Sequence, residues 1–326
     1  MAKVSFDVVL FPTESAAEDL RLAKLAEKLG YDGVWVGDSH IIWREMYVLL
    51  GAIASQTKRV KLGSGVTHPL VRHLSLTASS FVSLSELSGG RMRLGIGIGA
   101  SGPINIGVKR AARKVLTEAV GQLKALMRGD PVQLDGKEMR LMFADHANIP
   151  VLMAASTTET RDIAAEVADG MIHGGREDLL KDWVAEFRQS VGQGGRAPGS
   201  VPVVSWVPCC VSNNAQEAKD SVKPHIARSG WTSFLKMVRE GKPVAEEDRL
   251  AAERISREYD FSHHMSREHS HLVPERWVDL FSAAGNPQQV RERIDQIIGC
   301  GVDVVAIVPY GDKESIIKLF AKKVIG

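Results

Sequence analysis

The sequence has few of the features that mark a secreted or membrane-bound protein. Its three cysteines, two of them adjacent at Cys209 and Cys210, form neither a disulfide framework nor a spaced metal-binding motif. No apolar run reaches the ~18 residues needed to cross a bilayer, and the first residues do not resemble a signal peptide. We therefore expect a cytoplasmic protein without a membrane segment.

An excess of charge of one sign is also missing. The chain has 41 basic and 39 acidic residues, and no long run of either sign. Proteins that bind nucleic acids or membrane surfaces concentrate basic residues in a patch, a helix or a tail. We therefore expect a small-molecule substrate, and neither nucleic acid nor a membrane, as the binding partner.

Short apolar runs alternate with amphipathic helical segments along most of the chain. This pattern predicts eight strands, near residues 4–10, 33–37, 60–65, 91–99, 150–155, 170–175, 201–211 and 302–308. Parallel strands need a crossover between successive members, and the intervening helices supply it. The fold class is α/β, and we predict a (β/α)₈ TIM barrel that forms a single domain over residues 1–326.

Two segments interrupt this repeat. Residues 131–142 place Asp135-Gly136 between alternating side chains, which predicts a small inserted hairpin. Residues 224–273 are charged and helical in pattern without a strand signal, and we interpret them as a helical lid over the site. The four histidines of this segment have no metal-ligand spacing, so we predict no metal site and expect exposed side chains at His263, His264, His269 and His271.

An open, doubly wound sheet is the alternative arrangement for alternating strands and helices. Its dinucleotide-binding form needs Gly-x-Gly-x-x-Gly directly after the first strand. The chain has Phe11-Pro12-Thr13 at that point. The barrel is therefore favoured, and in a barrel the functional residues lie at the carboxyl ends of the strands.

The second predicted strand ends in Asp38, Ser39 and His40. A carboxylate beside an imidazole can orient a substrate or move a proton, whereas the structural alternative is that Asp38 caps the following helix. Trp43 either lines the same pocket or packs in the core. We predict catalytic roles for Asp38 and His40 and substrate contact for Trp43.

Small residues mark three further strand ends. Gly63-Ser64-Gly65-Val66 suits the face of a planar ring, although a simple turn would use the same residues. Ala154-Ala155-Ser156 and Gly174-Gly175 each come just before a helix, where free backbone amides bind phosphate. Helix capping by Ser156 or Thr157 is the structural alternative at the first of these two ends.

Several motifs resemble those of a known family. They are Leu62–His73, Glu86–Arg91 and Leu94–Gly99, with further matches at 150–155, 168–170 and 281–290. Together they cover nearly the whole chain and resemble the luciferase-like monooxygenase superfamily. Within it the similarity is greatest to the coenzyme F420-dependent branch, which contains methylenetetrahydromethanopterin reductases and F420-dependent sugar-phosphate dehydrogenases.

The resemblance implies a lidded barrel, usually dimeric, that binds a flavin-like ring at its carboxyl face. It implies a non-proline cis peptide between Gly65 and Val66, with the resulting bulge against one face of the ring. Asp38 matches the acidic residue that the family places beside the reactive carbon. The residues expected to contact the cofactor and its phosphate are Gly65, Val66, Thr67, Gly99, Ala154, Ala155, Ser156, Gly174 and Gly175.

Three positions depart from the family pattern. Val9 stands where methanopterin reductases carry a carboxylate, and Ala100 stands where the sugar-phosphate enzymes carry a glutamate. Ser39 occupies the position of a histidine in the sugar-phosphate branch, and His40 is displaced from it by one residue. The resemblance therefore gives no basis for assigning either the methanopterin substrate or the sugar-phosphate substrate to this chain.

These observations predict an F420-dependent oxidoreductase, expected to be a homodimer, that transfers a hydride between the deazaflavin ring and a small organic substrate. One alternative is an FMN-dependent luciferase-like monooxygenase that uses reduced flavin and O₂. Alternatives from other classes are a non-redox phosphate-binding barrel isomerase or lyase and a non-catalytic flavin-binding protein.

Overall fold

The computed structural model describes residues 4–144 and 147–326. The strands are β1 (Ser5–Leu10), β2 (Gly33–Val36), β3 (Lys61–Ser64), β4 (Met92–Ile96), β5 (Val132–Leu134), β6 (Lys137–Met139), β7 (Val151–Ala154), β8 (Gly170–His173), β9 (Val203–Val211), β10 (Ala283–Gly285) and β11 (Val304–Pro309). The α-helices are α1 (Ala16–Lys28), α2 (Met46–Gln56), α3 (Leu74–Ser88), α4 (Ser101–Ile104), α5 (Arg113–Arg128), α6 (Thr158–Val167), α7 (Leu180–Gln193), α8 (Ala215–Arg239), α9 (Glu246–Glu258), α10 (Glu275–Phe281), α11 (Pro287–Gly299) and α12 (Lys313–Phe320).

Eight parallel strands close into a barrel in the order β1, β2, β3, β4, β7, β8, β9 and β11. Pairing of β8 with β9 and of β11 with β1 completes the circle. The predicted (β/α)₈ barrel is therefore confirmed. The short strand β10, which the sequence analysis does not predict, adds in parallel to the end of β9 outside the closed ring.

Both interrupting segments have defined structure. Strands β5 and β6 form an antiparallel hairpin, and its turn residues Asp135 and Gly136 both have positive φ angles. After β9 the chain forms the long helix α8, then α9, two 3₁₀ turns at Phe261–His263 and Arg267–Leu272, and α10. From here on, the word lid refers only to residues 259–272, which are part of the segment 224–273 interpreted as a lid from the sequence.

The main hydrophobic core lies between the barrel strands and the surrounding helices. A second, smaller cluster fills the inside of the barrel and contains Val9, Trp35, Leu152, Ile172, Val204, Ala306 and Val308. These side chains alternate along their strands with those of the outer core, as the period of two in a β-strand requires.

A buried ion pair lies beside this inner cluster. Arg93 Nη2 on β4 donates to Asp7 Oδ2 on β1 over 2.5 Å, and the indole nitrogen of Trp35 donates to the same oxygen over 2.8 Å. The Arg93 guanidinium also lies 3.9 Å from the centre of the Trp35 ring. Gly33 and Gly63 leave the space, because a Cβ atom at either position would overlap Arg93 or Trp35.

We expect Arg93→Met to lower the free energy of unfolding by about 3–5 kcal/mol, because it leaves the Asp7 carboxylate buried without its counter-charge. Denaturant titration measures the change. The double variant Asp7→Leu/Arg93→Met should lose less than Arg93→Met alone, since no unpaired charge remains. Arg128→Met, which removes an exposed ion pair with Asp130, is the control and should change stability by less than about 1 kcal/mol. Equal losses in Arg93→Met and Arg128→Met would contradict this account.

Candidate active site

The peptide bond between Gly65 and Val66, directly after β3, is cis. The conformation implied by the family resemblance is therefore confirmed. The chain rejoins the sheet at Thr67, whose amide donates to the Gly95 carbonyl over 2.8 Å and whose carbonyl accepts from Gly97 over 3.1 Å. The Val66 side chain remains partly exposed and packs against the inner cluster of the barrel.

Small residues form a floor at the carboxyl end of the barrel. A Cβ atom at Gly97 would lie 3.2 Å from both Val66 Cγ2 and Ala154 Cβ, so these three residues are close neighbours. Trp206 on β9 borders the same area, because its ring edge lies 3.1 Å from the position of a Cβ at Gly65. Gly174 is exposed and has only Trp206 near its missing Cβ. The floor is therefore built from small and apolar residues, of which Val66, Ala154 and Gly174 are partly or fully exposed at the mouth.

The predicted cofactor residues differ in exposure. Gly65, Thr67 and Ala155 are buried, whereas the other predicted residues are partly or fully exposed at the mouth, namely Val66, Gly99, Ala154, Ser156, Gly174 and Gly175. The Ala155 amide donates to the Ile172 carbonyl, which binds the end of β7 to β8. The Thr67 and Ala155 side chains are buried, so we place them behind the exposed floor, where they support it.

Asp38 lies in a small charged network at the end of β2. Its Oδ2 accepts hydrogen bonds from Thr67 Oγ1 over 2.7 Å and from Arg72 Nη1 over 2.8 Å, and its side chain is only 4% exposed. Arg72 also donates to Glu45 over 2.6 Å and lies over the Tyr47 ring. These contacts fix the position of the carboxylate, and the network combines two acidic groups with one arginine.

His40 and Trp43 lie in the loop that follows Asp38. The His40 Nδ1 atom is buried and has no hydrogen-bond partner among the described residues. Trp43 stacks on Phe11 at the end of β1, with ring centres 4.5 Å apart, and lies 6.3 Å from the His264 ring of the lid. Ser39, in contrast, points to the end of β4 and hydrogen-bonds Ser101 over 2.9 Å.

At the end of β7 the helix α6 begins with a capping box. Thr157 Oγ1 accepts from the Thr160 amide, and Thr160 Oγ1 accepts from the amides of Ser156 and Thr157. Thr160 therefore already satisfies the Ser156 amide, which the sequence analysis offers to phosphate, as well as the amide of Thr157, which the sequence analysis names for capping. A cation approaches from α8, because Lys236 Nζ donates to the Ser156 carbonyl over 2.8 Å, and burial lowers the pKa of this lysine.

His173, the last residue of β8, is a buried titratable group that the sequence analysis does not single out. Neither ring nitrogen has a hydrogen-bond partner among the described residues, and burial lowers its pKa to about 4. The ring lies 5.3 Å from Trp183 and directly beside Gly175. No sequence motif marks His173, because the residues around it come from α7 and from the end of β8 and meet only in the folded protein.

The expectation of exposed lid histidines is wrong for two of the four. His264 and His269 are buried against Tyr259, which hydrogen-bonds His264 Nδ1 over 2.7 Å and stacks on His269. His263 and His271 are exposed as predicted. Among the residues that the structure describes, no group of three His, Cys, Asp or Glu side chains could hold a metal ion.

A cavity of about 620 Å³ opens between the lid and the ends of β1, β9 and β11. Its lining includes Phe11, Trp43, Cys210, His264, Met265 and Tyr310. The cavity thus places the predicted substrate contact Trp43 next to the lid. Burial raises the pKa of the Cys210 thiol to about 11, so this cysteine is held as an unreactive wall residue.

Comparison with known proteins extends over the whole chain. The profile of the family described as luciferase-like monooxygenase matches residues 5–304. The chain is 30% identical to a 5,10-methylenetetrahydromethanopterin reductase of Methanolobus tindarius, over 99% of this chain and 100% of that protein. It is 26% identical to an F420-dependent glucose-6-phosphate dehydrogenase of Beutenbergia cavernae, over 92% and 90% of the two chains.

Solved structures show the same architecture. The coenzyme F420-dependent tetrahydromethanopterin reductase from Methanopyrus kandleri superposes with a TM-score of 0.81 at 26% identity, covering 99% of both chains. An F420-dependent secondary alcohol dehydrogenase, solved with an F420-acetone adduct, gives a TM-score of 0.80 at 17% identity over 99% and 98% of the chains, which shows a shared fold. Within the described residues, no helix has the length and apolar character that crossing a membrane requires.

The low pKa of His173 predicts that stability falls in mild acid. Between its ordinary pKa of 6.5 and a pH of about 4, His173 binds a proton in the unfolded chain but not in the folded protein. We expect His173 to contribute a loss of about 1–2 kcal/mol of unfolding free energy between pH 7 and pH 5. His173→Gln should make the curve of stability against pH shallower, whereas His263→Gln, at an exposed position, should leave its slope as in the wild type. Parallel curves for His173→Gln and the wild type would disprove the assignment.

Proposed function

The chain belongs to the luciferase-like monooxygenase family, and from this membership we propose that it is a homodimeric F420-dependent oxidoreductase. The observation that carries the proposal is the full-length similarity to enzymes named as F420-dependent or as methylenetetrahydromethanopterin reductases. The proposed reaction moves a hydride between the deazaflavin ring and a small organic substrate at the mouth of the barrel.

The floor at the mouth supports this cofactor assignment. A planar tricyclic ring needs an apolar surface that large side chains do not obstruct, and the small and apolar residues Val66, Gly97, Ala154 and Gly174 support such a contact. When bound, coenzyme F420 supplies two-electron redox chemistry at its deazaflavin ring. The protein then has to hold the ring, exclude water and present the substrate to the ring face that is not against the floor.

The ends of β7 and β8 are the proposed position of the cofactor phosphate. Ser156 and Gly174 are exposed there, and Gly175 is partly exposed. Lys236 supplies a positive charge at hydrogen-bond distance from the Ser156 carbonyl. Arg176 pairs closely with Asp178 over 2.6 Å, whereas the ion pair of Lys236 with Glu240 is longer, at 3.5 Å. We therefore assign the electrostatic part of phosphate binding to Lys236 instead of Arg176.

Asp38, His40 and Trp43 are proposed to act on the substrate side. Thr67 and Arg72 hold the Asp38 carboxylate in one orientation beside the floor. His40 follows Asp38 in the same loop and its side chain is partly exposed, so we place it as the group that exchanges a proton with the substrate. Trp43, held by its stack on Phe11, forms an apolar wall of the cavity.

The homodimer is supported by apolar side chains on two neighbouring helices. Val48 on α2 is 71% exposed, and Leu76 and Leu87 on α3 are 56% and 60% exposed. Exposed apolar side chains of this size on adjacent elements are typical of an interface between subunits. A second copy of the chain would cover these apolar side chains.

Titration with cofactors tests the proposed function. We expect oxidised F420 to bind with a changed visible spectrum at one cofactor per chain, and light scattering to give a particle of two chains. FMN should bind weakly or not at all. Tight FMN binding without F420 binding would favour the FMN-dependent monooxygenase. No spectral change with either cofactor would favour a non-redox barrel enzyme.

We expect Asp38→Asn to reduce turnover by about 10²-fold or more while changing the F420 dissociation constant little, because it removes a charge beside the reacting atoms. The absorbance of oxidised F420 follows turnover, beginning with the substrates in the names of the relatives. Glu45→Gln is the matched control, since it removes the other carboxylate that Arg72 contacts. If both variants retain the wild-type rate, Asp38 has no part in the reaction.

A further inference from the structure

Two arginines near the mouth have no acidic partner among the residues that the structure describes. Arg228 lies on α8, and Arg110 lies in the loop between α4 and α5. Their guanidinium groups face the Phe261 ring of the lid at 5.6 and 6.0 Å, and Arg228 also lies 5.2 Å from the Trp231 ring. Within residues 4–144 and 147–326, neither side chain forms an ion pair or a hydrogen bond, and the Arg228 Nε atom is buried without a partner.

Burial makes this arrangement unfavourable in the free protein. Loss of water lowers the pKa of Arg228 to about 10, and the charge of Arg110 adds to the effect. Arg110 is exposed at the surface, and partial loss of hydration lowers its pKa in the same direction. A buried cation is normally paired, because desolvation of an isolated charge is strongly unfavourable. Arg228 is partly buried beside a second positive charge and has no acidic partner among the described residues, which indicates that a ligand supplies the negative charge.

None of the other described groups that face the two arginines supplies this negative charge. His264, His225 and His269 are the nearby titratable side chains, and burial together with the arginine charges lowers the pKa of His264 to about 3. Tyr259 is neutral, since burial raises its pKa to about 12. In the described part of the chain this region therefore contains cationic and neutral groups, without a facing carboxylate.

The position of the pair relates it to the proposed substrate side. Arg110 precedes Ala111, whose amide donates to the Ile98 carbonyl next to the floor. Arg228 follows His225 by one helical turn, and His225 hydrogen-bonds Tyr310 at the end of β11. His264, which senses both arginine charges, also lines the cavity beside Trp43. The proposed phosphate position at β7 and β8 has a separate cation, Lys236.

We propose that Arg228 and Arg110 bind a carboxylate or phosphate group of the substrate, so that the substrate is an organic anion. This proposal rests on the proposed function, which places the substrate between the floor and the lid. The planar fork of arginine matches the paired oxygens of both anions. The bound anion would neutralise the two positive charges that lie beside the Phe261 ring of the lid.

Calorimetric titration tests this site with succinate and inorganic phosphate as probes. The titration is performed on the free protein and on protein saturated with F420, whose own phosphate site is then occupied. We expect at least one probe to bind the saturated protein, and Arg228→Gln or Arg110→Gln to weaken it about 10-fold or more through loss of a charge-assisted hydrogen bond. Arg228→Lys should retain part of the affinity. Arg239→Gln, which removes an exposed charge from the same helix, should bind like the wild type.

The thermal midpoint separates binding from a structural role. We expect Arg228→Gln to raise the Tm of the free protein, because it removes an uncompensated buried charge, whereas loss of a structural arginine would lower it. The proposal is overturned if neither probe binds, if both glutamine variants bind the probes like the wild type, or if they weaken F420 instead of the probes. The last result would assign the arginines to the cofactor. Failure of the proposed function would appear separately, as wild-type protein that binds an anion through Arg228 but does not bind F420.

Discussion

The space inside the barrel is the constraint on which the rest of the structure depends. Two tryptophans, Trp35 and Trp206, and the Asp7–Arg93 pair fill a ring of eight strands that has little room for other large side chains. Neighbouring strands admit them by carrying glycine, at Gly63 against Trp35 and at Gly65 against Trp206. Further small residues, including Gly97, lie at the carboxyl ends of the strands and form the open floor of the mouth. Packing inside the barrel and the shape of the proposed cofactor site therefore have one cause.

The charges of the molecule divide into compensated and uncompensated groups. Asp7 with Arg93, and Asp38 with Arg72, are buried or nearly buried pairs, in which each charge has a partner that offsets much of its loss of hydration. Arg228 and Arg110 have no such partner in the described structure. The floor of the mouth is therefore neutral and apolar, while the side below the lid is positive. A ligand with a flat neutral ring and a second ligand with a negative group would match these two sides.

Much of the fold could be predicted from the sequence, because alternation of short apolar runs with amphipathic helices is a local pattern. The glycine-ended strands could be recognised from the residues themselves, whereas the cis bond at Gly65–Val66 was predicted only through the family resemblance. The Asp7–Arg93 pair was not, since its partners are 86 positions apart and meet only when β1 and β4 face each other across the closed ring. Burial of His264 and His269 was missed for a similar reason, because it depends on how Tyr259 packs within the lid and not on their spacing. Lys236 lies next to Ser156 only in the folded protein, where the end of α8 is close to the end of β7.

The division between floor and lid also limits what similarity can transfer. The floor is built from strand ends, whose positions are fixed by the closed hydrogen-bonded ring, so proteins with this barrel keep its geometry at modest identity. The lid consists of two short 3₁₀ turns that are held by side-chain contacts, such as Tyr259 with His264 inside it and Asn105 with the Phe261 carbonyl from outside it. Substitutions there change the charge and size of the substrate space without disturbing the barrel. Full-length relatives of about 30% identity therefore inform the cofactor more strongly than the substrate. The substrate has to be argued from the side chains that this chain itself places below the lid, among which the two unpaired arginines are the most restrictive.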